Sequence, residues 1–181
     1  MFIRLKTRKQ GDKTLSYAYL VSSKHRKKGA KQKVIRYLGK VYSFERTKNR
    51  SFDDFINGPA ESFISLKPLK TSLIGLVKLE LENHDFTRIS KNKYAKGKLL
   101  VNLSTKDVKD ISNSKPVCIA INDGYLTSYT LSKMLNFKAP EALERDVGKA
   151  LAKRILAAGV LLDQGIFVLL FQKLKRELSI R

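Results

Sequence analysis

The chain has 181 residues, 43% of them hydrophobic, which is enough for one domain or two small ones around a buried core and argues against wholesale disorder. Its 37 Lys and Arg against 16 Asp and Glu leave a net charge of +21, which points to polyanionic partners and says nothing about the fold. The one cysteine, Cys118 in PVCIAI, excludes an internal disulfide and a cysteine-based metal cluster and suits a reducing cytoplasm.

The charge is concentrated at the start. Residues 1–50 hold 16 bases against only Asp12 and Glu45, a net of +14 of the total +21. Within them, SSKHRKKGAKQKVIRYLGK (residues 22–40) carries eight Lys or Arg and no acid. The runs FIRLKTRK, TLSYAYLVSS and QKVIRYLGKV, separated by QGDK and KHRKKGAK, predict a three-stranded antiparallel meander. Alternation sets Arg4, Lys6 and Arg8 together on the first strand and Leu15, Tyr17, Tyr19 and Val21 together on the second. On the third it opposes Val34, Arg36 and Leu38 to Lys33, Ile35 and Tyr37. One face then packs on the rest of the protein, and the other presents bases interleaved with tyrosines, a pattern suited to nucleic acid. Lys6, Lys24, Arg26, Lys27, Lys28, Lys31, Lys33 and Arg36 are the expected phosphate contacts, with His25 adding to them. Arg4, Arg8, Arg36, Tyr17, Tyr19 and Tyr37 are the better candidates for any specificity, because lysine lacks the fixed fork that selects a base.

The order MFIR, a basic first strand, the central YAYLV, a basic connector and KQKVIRYLGKV resembles the N-terminal segment of insertion-sequence transposases of the DDE class, over residues 1–45. The resemblance implies that this segment holds DNA. In such transposases a much longer RNase-H-like domain supplies three metal-binding carboxylates, and the remainder of this chain is short for one. Along more of its length the chain is similar to small archaeal proteins with no assigned activity.

Asn57, Gly58 and Pro59 mark a boundary, so the organisation expected is a basic meander over residues 1–50 and a mixed α/β domain over 60–181. Leu69, Leu73, Leu76 and Val77 share one helical face after Pro68. FTRIS and KLLVNL are strand candidates around the basic turn KNKYAKGK, whose Lys91, Lys93, Lys96 and Lys98 form a second candidate phosphate site or a solvated surface. PVCIAI reads as a buried strand. Further on, LTSYTLSKMLNF and EALERDVGKALAKRILAAG read as helices and VLLDQGIFVLLF as a hairpin about DQG. That order admits a winged helix. The stripe Val147, Leu151, Ile155 and Leu156, the acids Glu141, Glu144 and Asp146, and the apolar wing speak instead for a structural layer or a surface for a protein partner. The fold class expected is α+β with C-terminal helices.

Asp53, Asp54, Asp107, Asp110 and Asp123 fit no catalytic spacing, and INDG reads equally as a strand followed by a turn. Neither His25 nor His84 has a neighbour arranged as a nucleophile, and no phosphate-binding glycine loop is present in the sequence. No catalytic residue, metal or cofactor is therefore expected. The N-terminus lacks the apolar run of a signal peptide, and the longest apolar run, residues 166–171, is too short to span a bilayer. The expectation is a non-enzymatic cytoplasmic protein that binds nucleic acid, DNA ahead of RNA, with an RNA-binding ribosome-associated component as the alternative.

Overall fold

The computed structural model describes residues 1–26, 29–139 and 144–179. Strands β1 (Phe2–Gln10), β2 (Lys13–Arg26) and β3 (Gly29–Ser43) form the antiparallel meander. A two-residue loop joins β1 to β2, and Gly11 takes its first position with φ of 58°, the glycine-first arrangement that matches the twist of a hairpin. Three helices follow, α1 (Phe52–Ile56), α2 (Ala60–Leu66) and α3 (Leu69–Asn83). A four-stranded antiparallel meander is built from β4 (Thr87–Ser90), β5 (Lys93–Lys96), β6 (Leu99–Asn102) and β7 (Asp107–Asp110). Then come β8 (Val117–Ile121), β9 (Gly124–Leu126), α4 (Ser128–Leu135), α5 (Glu144–Ala157) and α6 (Gln164–Ser179). The class is α+β.

The last four residues of β3 pair in parallel with β8, so the first sheet has five strands in the order β1-β2-β3-β8-β9. The N-terminal meander is thereby hydrogen-bonded into the body. A small core of Ala18, Leu20, Leu38 and Cys118, flanked by Ile3, Val41, Tyr125 and Tyr129, seals one face of it. Burial there pushes the Cys118 thiol up to about 12, so it serves as a small apolar residue. The larger core lies among the second sheet, strands β8 and β9 of the first, and the helices, and includes Leu73, Val101, Ile119, Leu131, Leu151 and Leu170.

The helix after Pro68 begins at Leu69, as its apolar spacing predicts, and PVCIAI is the buried strand β8. Two expectations fail. KNKYAKGK is no single turn, because Lys93–Lys96 within it is β5, bounded by tight turns at either end. DQG is not the tip of a wing, because α6 starts there. Asp163 Oδ1 accepts from the backbone N–H groups of Gly165 (2.8 Å) and Ile166 (3.2 Å), satisfying two of the donors a helix start leaves unpaired. Ile166, Leu170 and Leu174 then fall one turn apart on the buried side, a helical stripe that the continuous apolar run conceals. In α5, Val147, Leu151 and Ile155 are buried, but Leu156 is half exposed. Glu141 and the turn expected near Pro140 lie outside the described residues.

Glu80 of α3 is a buried carboxylate that ties four segments together. It accepts from Arg46 Nη1 (3.1 and 3.2 Å), Asn122 Nδ2 (3.1 Å) and the Leu161 backbone N–H (3.2 Å). Charge-assisted bonds of this number are what make a buried carboxylate tolerable.

Gly39 sits where β3 leaves β2 for β8, with φ of 123°, and a Cβ there would lie 2.3 Å from the Pro116 carbonyl oxygen and 2.5 Å from the Val117 Cα. Gly11 has positive φ but open space around it. Gly39→Ala is expected to lower the unfolding free energy by about 3 kcal/mol or more, against about 1 kcal/mol for Gly11→Ala. Equal losses in urea denaturation would show that the strand junction is not held by backbone contact.

Candidate nucleic-acid interface

Beyond the Phe2–Val21 pair, β1 contributes no further residue, and Ser22–Arg26 of β2 pair only with residues 29–33 of β3. At ~3.3 Å per residue this two-stranded ribbon reaches about 17 Å past the sheet. Lys27 and Lys28 lie outside the described residues.

Register sorts the candidate residues into two faces. On one, successive cross-strand rows are Phe2–Val21–Val34, Arg4–Tyr19–Tyr37, Lys6–Tyr17–Lys40 and Arg8–Leu15. The Tyr37 ring stands 5.4 Å from that of Tyr19 and 6.3 Å from that of Tyr17, centroid to centroid. Lys6 Nζ lies 5.2 Å over the Tyr19 ring, and Arg4 Nη1 donates to Gln32 Oε1 at 2.6 Å. Burial first, then the neighbouring phenols of Tyr17 and Tyr19, raises the pKa of Tyr37, so its hydroxyl remains a neutral donor beside the bases. Cation–π and ring–ring contacts hold the cluster in place without a carboxylate.

The other face has a different composition. Lys31 registers opposite Lys24, Lys33 opposite Ser22, and Arg36 opposite Leu20, in phase with the buried Ala18. Arg26 registers opposite Gly29 in the same phase, whereas His25, opposite Ala30, takes the register phase of Val21 and the tyrosine face. Arg36 is thus separated from Tyr37, with which it was grouped as a candidate for specificity. Alternation alone separates these adjacent residues; two register shifts in the β2–β3 ladder, between Ala18 and Tyr19 and between Leu20 and Val21, leave Leu38 and Ile35 as extra residues on β3. Each bulge advances the phase by one residue, so Val34 and Tyr37, of opposite parity in the sequence, come to the same face. The bulges also add twist to the ribbon.

Two like charges set opposite one another repel. Among the described residues, no carboxylate pairs with Arg4, Lys6, Arg8, Lys31, Lys33 or Arg36, whereas Arg46, Lys48, Arg50 and Lys98 each form an ion pair. The lysines of the expected second phosphate site divide. Lys96 Nζ donates to the His84 carbonyl (2.8 Å) and lies 4.7 Å over the Phe44 ring, and Lys98 pairs with Asp110 at 3.0 Å. Lys91, Lys93 and the paired Lys98 are exposed. The Ser112 hydroxyl, then Lys98, holds the Asp110 carboxyl below the usual carboxylate range.

The other polar residues have structural partners. Asp54 forms a capping box with Ser51, whose hydroxyl and N–H lower its pKa, and Asp53 Oδ1 accepts from the Ala60 N–H at 2.8 Å. Asn122 and Asp123 make the two-residue turn between β8 and β9, with Asn122 at φ of 48°. His84 is fully buried, its Nδ1 2.8 Å from the Glu80 carbonyl oxygen. Among the described residues no three His, Cys, Asp or Glu side chains gather to hold a metal ion, and no helix is long and apolar enough to cross a membrane. A cavity of about 640 Å³ between α1, α3 and the start of α6 is lined by Arg46, Arg50, Asp53, Glu80 and Asp163 with apolar neighbours. Its Glu80 and Arg46 bond each other, and Asp53 and Asp163 cap backbone N–H groups.

Sequence reasoning missed Lys40, Gln32 and the exposed Phe2 and Val34 as members of the tyrosine face. A Val-Ile pair interrupting alternation in a basic strand was the available signal. No family model, curated protein or solved structure matches this chain.

Because Lys96 is engaged by the His84 carbonyl and two aromatic rings, Lys96→Ala is expected to lower stability by about 1–2 kcal/mol, read as a fall in melting temperature. Its affinity for nucleic acid should be unaltered. A variant of unchanged stability and weakened binding would return Lys96 to the interface.

Proposed function

We propose that this protein is a non-enzymatic DNA-binding protein that lays its β2–β3 ribbon in the major groove of a duplex. The observation that carries the reading is the two-faced register. One face bears tyrosines, Arg4 and Lys6, and the other carries Lys24, Lys31 and Lys33 in one phase. The major groove, about 12 Å wide and 8.5 Å deep, admits a two-stranded ribbon. With the two-stranded end of the ribbon in the groove, its lysines reach the flanking phosphates, and the tyrosine face of the adjoining three-stranded part continues along the same duplex. Phosphate contacts supply affinity and position, and contacts to base edges supply preference. The net charge of +14 within residues 1–50 supports the same partner, as does the resemblance of residues 1–45 to the DNA-holding segment of DDE-class transposases.

Salt titration tests the reading. With about six phosphates neutralised, log affinity for a 30-base-pair DNA duplex should fall against log salt with a slope of about −5. Replacing Lys24, Lys31 and Lys33 together by Ala should weaken binding at least tenfold and make the slope shallower by about 2 to 3, at an unchanged melting temperature. A-form RNA has a deep, narrow major groove, so an RNA duplex of equal length should compete less well. A slope near zero would refute the phosphate contacts. An RNA duplex that wins by tenfold would replace DNA with RNA as the partner.

A further inference from the structure

Resting on the reading above, one feature of the tyrosine face is unexplained by charge. Its first row, where the ribbon leaves the sheet, is apolar: Phe2 and Val34 flank Val21. Val21 is buried, but Phe2 is 44% and Val34 46% exposed, and neither belongs to either core. The adjoining row holds Arg4 and the half-exposed Tyr37, and Arg4 is bonded to Gln32 two residues before Val34. Two large apolar side chains thus stand in water within the most basic part of a strongly basic protein. Burying them in a second copy would bring together two such sets of bases with no acid between Asp12 and Glu45 to offset them. A polyanion with an apolar element inside its groove meets both requirements.

In the major groove of DNA that element is the C5 methyl of thymine. It is the one apolar group among the hydrogen-bonding atoms of the groove floor, and it distinguishes A·T from the other pairs. We propose that Phe2 and Val34 form a thymine-methyl contact that gives this ribbon a preference for A·T-containing duplexes, with Arg4 and Lys6 fixing the phosphate register beside it. Neither residue performs chemistry; both act through the apolar surface they cover. Val34 and Phe2 lie on opposite sides of the three-strand row, so the contact spans more than one base pair at the ~4.8 Å strand spacing.

Replacing every thymine of a duplex by uracil removes only the methyl groups and leaves backbone charge and base pairing in place. Wild-type protein should bind an A·T-rich 30-base-pair duplex about fourfold more tightly than its uracil counterpart for each methyl buried. Val34→Thr keeps the shape of the side chain and exchanges a methyl for a hydroxyl, so the fold is preserved and the thymine-to-uracil ratio should shrink toward one. Phe2→Leu keeps an apolar group and should retain a ratio above one. In all three proteins the salt slope should be the same. Equal affinity of wild-type protein for the two duplexes, with a steep salt slope, would overturn the methyl contact and leave the DNA reading standing. Absence of salt-dependent binding to either duplex would remove both. A concentration-dependent dimer in sedimentation that Val34→Thr dissociates would assign the apolar row to a second copy and overturn the contact.

Discussion

Strand β3 belongs to two different partners, and the placement of everything N-terminal follows from that. Through Lys40 it is the antiparallel neighbour of β2, and from Lys40 to Ser43 it is the parallel neighbour of β8. The transfer takes place at Gly39, where the backbone passes so close to Pro116 and Val117 that no Cβ fits. A continuous strand of 15 residues therefore runs from the ribbon into the centre of the body sheet. The ribbon is held by a hydrogen-bonded ladder and a small core, not by a linker, which limits the ordering entropy lost when a ligand binds.

The body uses its acids internally. Glu80 joins the segment after β3, the β8–β9 turn and the α5–α6 connection, while Asp53, Asp54, Asp110 and Asp163 satisfy helix or turn donors. Arg46 and Lys98 are drawn into pairs with Glu80 and Asp110, and Lys48 and Arg50 with Asp85 and Glu82. The bases of the meander have no such partners among the described residues, so their field is directed to solvent. The same division explains why Lys96 and Lys98, equally basic in sequence, serve stability: they adjoin the carbonyl, rings and carboxylate of the body.

Much of this was legible in the chain. Gly-containing connectors between β-rich runs gave the meander, the spacing of Leu69, Leu73, Leu76 and Val77 gave α3, and the run PVCIAI gave β8. What was hidden had local causes. Strict alternation put Val34 with Arg36 and apart from Tyr37, because two bulges that shift the phase leave no mark as definite as a glycine or proline. The start of α6 was hidden because Asp163, Gln164 and Gly165 have the composition of a turn, yet the aspartate caps a helix whose stripe at 166, 170 and 174 is embedded in other apolar residues. The capture of Lys96 by His84 and Phe44 joins residues distant in sequence and has no signature within KNKYAKGK.

The account turns on which surface meets nucleic acid, and photo-cross-linking with peptide mapping reads that directly. Ultraviolet irradiation of the native protein on a DNA duplex, followed by digestion and mass spectrometry, should place the attached nucleotides on Tyr17, Tyr19, Tyr37 and neighbouring residues of the first forty. Attachment concentrated instead on peptides of α5 and α6, with the N-terminal peptides unmodified, would contradict it.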